Sequence, residues 1–176
     1  MLCIHHLKRY FFVFQHHLKR GGFLCIKIST FTLTKINKNI MKTVHSIWAY
    51  VVLLVLIITV INAIIGLTQK KEFTHKDFRL GLITLIATHT QLLIGLGWYF
   101  ASPWYKSMKA SGINPSNSLL AVYHPIMMIL AIVLITMGWS KHKKQVKSES
   151  KFKKFTIFYG LALLIVLSII PWNNWF

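Results

Sequence analysis

The sequence predicts an all-α fold, a polytopic membrane protein whose four transmembrane helices form an up-down bundle. Four apolar runs lie at about 44–67, 80–100, 118–139 and 155–170, and most are long enough to cross a hydrocarbon core. The 176 residues are 55% hydrophobic, with a mean hydropathy of +0.54. They include only three acids, Glu72, Asp77 and Glu149, whereas a soluble domain of this length is much richer in charge. The 21 Lys and Arg fall in the N-terminal stretch and between the apolar runs. A formal charge of +18 spread this way does not form the basic face of a compact nucleic-acid-binding domain. Basic residues beside membrane spans instead set topology.

Residues 1–40 differ from the rest. HHLKR occurs at His5–Arg9 and again at His16–Arg20, around the short apolar core Tyr10 to Phe14. That core is too short to span a bilayer or to act as a signal peptide, and no small-residue cleavage site follows it. The stretch carries seven Lys or Arg and no acid, and Met41-Lys42-Thr43 directly precedes an apolar run. The expectation is a mis-chosen start or a disordered segment ahead of a transmembrane domain at 41–176. A basic amphipathic surface anchor is the alternative. Cys3 and Cys25 both lie in this stretch, so the domain from residue 41 has no disulfide, thiolate metal site or c-type haem motif.

The first span, about Val44 to Leu67, opens with His45 and the interfacial aromatics Trp48 and Tyr50. Thr59 and Asn62 are interhelical hydrogen-bond candidates, and Gly66 is a stop signal. The short linker TQKKEFTHKDFR brings span two back antiparallel. Span two, Leu80 to Phe100, carries His89 at its middle beside Thr88, Thr90 and Gln91. Its Gly81, Ala87, Gly95 and Gly97 permit close helix approach, and Pro103 ends it. Gly112, Asn114 and Pro115 mark a turn. Span three, about Ser118 to Trp139, contains His124 followed by Pro125. That proline lacks a backbone donor and frees a carbonyl one turn earlier, which predicts a kink at His124. SKHKKQVKSESKFKK reads as a solvated basic loop that includes His142; His75 lies in the other basic loop. Span four, about Phe155 to Ile170, has no ionisable group except Tyr159.

Lys70, Lys71, Lys76 and Arg79 fall in one loop, and Lys141, Lys143, Lys144, Lys147, Lys151, Lys153 and Lys154 in the other loop on that side. Only Lys42, Lys106 and Lys109 lie opposite. The positive-inside rule then predicts a multi-pass protein of the bacterial inner membrane with cytoplasmic basic loops and both core termini outside.

A titratable side chain at mid-membrane is rare and by default marks a functional site. His45, His89 and His124 come from three different spans, and at roughly 1.5 Å per residue they can converge in the outer half of the bundle. A b-type haem needs two neutral imidazoles in an apolar slot, so haem b is the expected cofactor. His89 and His124 form the expected axial pair through the haem iron, with His45 as the alternative ligand or a group near a haem edge or quinone. Thr88, Thr90 or Gln91 are candidates to hydrogen-bond the ligands.

The segments HSIWAYVVLL, ATHTQLLIGLGWYF, HPIMMILAIVLIT and FKKFTIFYGLALLIVLSIIPW together resemble a family of small bacterial four-helix membrane proteins often labelled cytochrome b-like. The resemblance covers roughly residues 43–172. It implies haem ligation by His45, His89 and His124; the expected role is electron transfer or redox sensing rather than catalysis. The sequence departs from better-defined membrane b-type cytochromes in having single histidines on three helices at unequal depth.

Against that stands a non-catalytic structural or assembly subunit of a larger membrane complex, whose buried histidines only hydrogen-bond neighbouring helices. Met127 and Met128 beside His124 suggest a soft copper site, but methionines on an apolar span ordinarily pack. The expected partners are the lipid bilayer and a quinone or larger complex, not nucleic acid. No phosphate loop, carboxylate pair or Ser/His/Asp set is visible in the sequence.

Overall fold

The computed structural model describes residues 39–170 and residue 172. The expectations for residues 1–38, including the paired-histidine motifs and both cysteines, lie outside the described residues. Every described element is a helix. Helix α1 is Asn39–Thr68, α2 His75–Ala101, α3 Pro103–Ser111, α4 His124–Lys143 and α5 Ser148–Ile169; a π turn, Leu119–Tyr123, leads into α4. Four of these, counting the π turn with α4, are long and apolar enough to cross a membrane. The chain is therefore read as a multi-pass membrane protein.

The pairings run antiparallel. From one end of α1 to the other, His45 meets Gln91, Trp48 meets the Ala87 carbonyl, Thr59 meets Thr84 and Asn62 meets Asp77. Between α2 and α4, Tyr99 reaches Ala121 while Phe78 packs on Trp139. Between α4 and α5, His124 lies near Ile169 and His142 stacks on Phe155. These contacts fix an up-down bundle.

The core is concentrated toward the end that carries the basic loops. Leu56, Val60, Ala131, Ile135, Trp139, Phe152, Phe155 and Tyr159 form it. Helix approach is set by aromatic rings seated over glycines. A Cβ on Gly66 would stand 2.5 Å from the Phe152 ring, one on Gly81 2.6 Å from Phe155, and one on Gly138 3.0 Å from Tyr159. Gly66 does not stop α1, as its position in sequence suggests. The helix runs on to Thr68, and Gly66 makes room for a ring.

Polar groups inside the bundle pair with one another, because lipid offers them nothing. The Thr59 and Thr84 hydroxyls lie 2.6 Å apart, each also within reach of a carbonyl of its own helix, so one donates to the other and the second donates to its carbonyl. Asn62 donates to Asp77 at 2.7 Å, and Asp77 also caps α2 by accepting from the Thr74 N–H and hydroxyl. The wholly buried Tyr159 donates to the Gly81 carbonyl at 3.2 Å.

The kink expected at His124 takes a definite form. Pro125 has no N–H for the Ala121 carbonyl and cannot sit against it. The chain widens into the π turn, and the His124 N–H bonds back to Leu119 O. The Ala121 carbonyl accepts from the Tyr99 hydroxyl at 2.9 Å instead.

Three boundaries differ from the sequence reading. Part of the expected loop after Pro103 is helix α3, for which Ser102 accepts from the Tyr105 N–H and Pro103 occupies the first turn. Helices α4 and α5 extend into the basic segment as far as Lys143 and from Ser148. Its lysines therefore sit on helix ends. Lys143, Lys141 and Lys151 place their ammonium groups over Trp139, Phe158 and Phe73 at 4.8, 5.1 and 5.4 Å.

Candidate functional site

Two of the three intramembrane histidines meet. His45 lies near the start of α1 and His124 at the junction of the π turn with α4. Both are half-buried, and their ring centroids stand 6.4 Å apart with the planes at 79°. The π turn sets this position, since the extra residue it inserts rotates His124 relative to the turns before it.

Gln91 reaches the pair from α2. Its Nε2 donates to the His45 carbonyl at 3.0 Å and lies 3.2 Å from His45 Nδ1. The Oε1 of the same amide is buried with no partner. Gly95, about one turn further along α2, admits the imidazole, since a Cβ there would stand 3.1 Å from His45 Cε1. His124 Nδ1 lies 3.5 Å from the Ile169 carbonyl in the last turn of α5, where carbonyls lack helical partners. Thr88 and Thr90, the other candidates to support a ligand, bond back to their own helix.

The expected His89–His124 pair is not what the structure assembles; His45 takes the place of His89. His89 is exposed on the outer side of α2. Its Nδ1 lies 2.7 Å from the Leu85 carbonyl and its Nε2 3.4 Å from Thr136 Oγ1 on α4. The reason is helical phase. Ala87 and Gln91 approach α1, and His89, two residues from each, falls on roughly the opposite side at 3.6 residues per turn.

His142, expected in a solvated loop, is only 2% exposed. It occupies an aromatic box at the basic-loop end, with ring centroids 4.5 Å from Phe155, 4.7 Å from Trp139 and 5.8 Å from Phe73. Its Nδ1 donates to the Trp139 carbonyl at 2.6 Å. The helix runs past Trp139 and turns His142 inward, a feature hidden in sequence by the lysines on either side. His75 is exposed, as expected.

No family model, curated protein or solved structure matches the chain.

The His45–His124 pair presents two imidazole donors from different helices. Among the described residues, no three His, Cys, Asp or Glu side chains gather closely enough to hold a metal ion. A bare zinc or copper ion asks the protein for three or four donors. A haem brings four nitrogens of its own and asks for two axial ligands. Two imidazoles from different helices fit that demand in donor type and number.

Proposed function

We propose that this integral membrane protein is a b-type haem protein, with His45 and His124 as the axial ligands, which passes electrons or senses redox state. The observation that carries the reading is the spacing of the pair. Two imidazoles from different helices stand close enough that each would offer one ring nitrogen to the same iron. The observed separation is 6.4 Å.

Bound haem iron supplies one-electron chemistry. The protein's own contribution is to hold and orient the two rings. Ligation through Nε2 requires that Nδ1 carry the proton. At His124 the Ile169 carbonyl is positioned to accept that proton. At His45 the group beside Nδ1 is the donor Gln91 Nε2 at 3.2 Å, so the ligating tautomer requires the amide to turn over, present the unpaired Oε1 and give up its bond to the His45 carbonyl. At His89 the Leu85 carbonyl takes the Nδ1 proton and Thr136 Oγ1 stands 3.4 Å from Nε2, on the side of α2 away from His45, which leaves His89 outside the pair.

The same proposal places the protein in the bacterial inner membrane with its basic loops in the cytoplasm and the core termini outside, by the distribution of Lys and Arg. Its electron partner would be a lipid-soluble quinone or a larger membrane complex. One observation favours a packing role instead: Gln91 bonds both the ring and the backbone of His45, as interhelical polar contacts do in a purely structural bundle.

The test is the haem content of the full chain, purified in mild detergent from cells supplied with excess haem precursor. The proposal expects about one extractable haem b per chain. A colourless protein from haem-replete cells overturns it and leaves the structural reading.

A further inference from the structure

A second polar group, apart from the paired imidazoles, lies on the lipid-facing side of α2 and α4, and it leaves one acceptor unfilled. Leu85 O is a carbonyl and can only accept, so at 2.7 Å the His89 Nδ1 must carry the ring proton. The neutral imidazole then has a lone pair on Nε2. Among the described residues its one hydrogen-bond neighbour is Thr136 Oγ1 at 3.4 Å, yet that hydroxyl also lies 2.8 Å from the Ile132 carbonyl. One hydroxyl proton serves one acceptor, and the shorter bond takes it. Thr90, the next hydroxyl along α2, donates to Ile86 O at 3.0 Å. Nε2 therefore faces the hydrocarbon midway along a 27-residue helix with no donor of its own.

We propose that His89 Nε2 is the hydrogen-bond acceptor of a binding site for a lipid-dissolved hydroquinone. The occupant must donate a proton, and it must reach the middle of the bilayer. Acyl chains have no donor, and lipid headgroups stay at the interface. A second copy meeting this patch with its own equivalent patch would bring Thr90 and Thr136, whose hydroxyl protons are already given to carbonyls. A phenolic hydroxyl on a small apolar molecule meets both requirements. The exposed Ile86, Leu93 and Val133 on the same side offer apolar contact for its ring and tail. The site needs no haem at His45 and His124, so it stands or falls separately from that reading.

The test uses the full chain with nitrogen-15-labelled histidine in lipid nanodiscs, titrated anaerobically with a decyl-substituted hydroquinone and, separately, with the matching quinone. Before addition, His89 should carry its proton on Nδ1 and show an unprotonated Nε2. The hydroquinone should move the Nε2 resonance saturably. The quinone has carbonyls but no donor and should not. His89→Phe should weaken hydroquinone binding roughly threefold to tenfold, the range for loss of one hydrogen bond. His89→Gln, which keeps an acceptor, and Thr136→Val should bind within about twofold of the original chain. A protonated Nε2 before addition, no saturable shift, an equal shift with quinone, or unchanged binding by His89→Phe each overturns the proposal. So does a shift that follows protein concentration without any hydroquinone, which would make a second copy the occupant. The titration of the unsubstituted chain decides even if the Phe variant does not fold.

Discussion

Gly81→Ala tests how this bundle is held together. The new methyl carbon would stand 2.6 Å from Phe155 Cζ. Phe155 is 2% exposed and stacked on His142 and Phe73, so its ring has nowhere to swing. Overpacking of this kind costs about 1–3 kcal/mol. If α2 and α5 separate to relieve it, the Tyr159 bond to the Gly81 carbonyl stretches from 3.2 Å, a further loss of about 0.5–1.5 kcal/mol. Against this, alanine gains up to about 1 kcal/mol over glycine in a helix interior. The net expectation is a loss of about 1–3 kcal/mol. Reversible unfolding of the full chain in mixed micelles measures it, with Phe155→Ala and the double variant completing a cycle. In the Phe155→Ala background the methyl has room, and the penalty should fall by at least about 1 kcal/mol. A Gly81→Ala protein as stable as the original, or strictly additive penalties, would refute the ring-over-glycine packing.

Tyr99→Phe leaves the Ala121 carbonyl without its donor and should destabilise by about 1–3 kcal/mol; restoring a backbone N–H with Pro125→Ala should shrink that penalty in the same unfolding assay. His142→Ala should cost about 2–4 kcal/mol through the cavity left in the aromatic box, while His142→Phe should stay within about 1.5 kcal/mol. Two near-neutral values would return His142 to a solvated loop. Asp77→Ala removes the cap of α2 and the partner of Asn62, and should lower stability by about 1–2 kcal/mol. Asn62→Ala added to it should then cost little more, which a double-variant cycle reads directly.

The four spans were legible because hydropathy over about twenty residues is a strong signal, and the Pro125 distortion because a missing N–H has only a few structural consequences. Thr59 and Asn62 were legible as interhelical bonders for a similar reason: lipid cannot satisfy them. Which way each histidine faces was not legible. In a soluble helix an apolar stripe marks the inner face. In α2 the lipid side, with Ile83, Ile86 and Leu93, is as apolar as the core side. Nothing in the sequence therefore separates His89 from Gln91, although only Gln91 turns toward His45. Loop charge misled in a related way. Lys141, Lys143 and Lys144 made His142 look solvated, while the helix carries the lysines outward and His142 into the box. The start of α3 did leave a signal, a serine followed by proline at the cap and first turn, set just after a span that proline was expected only to end.

The haem proposed here would be held by His45 and His124, and not by His89. Reduced-minus-oxidised visible spectra of the full chain, beside His45→Ala, His124→Ala and His89→Ala, test it most directly. The expected result is a low-spin haem b spectrum that either His45→Ala or His124→Ala abolishes or converts to high spin, and that His89→Ala leaves intact. A spectrum that survives loss of His45 but disappears with His89 would contradict it and restore the pair expected from sequence.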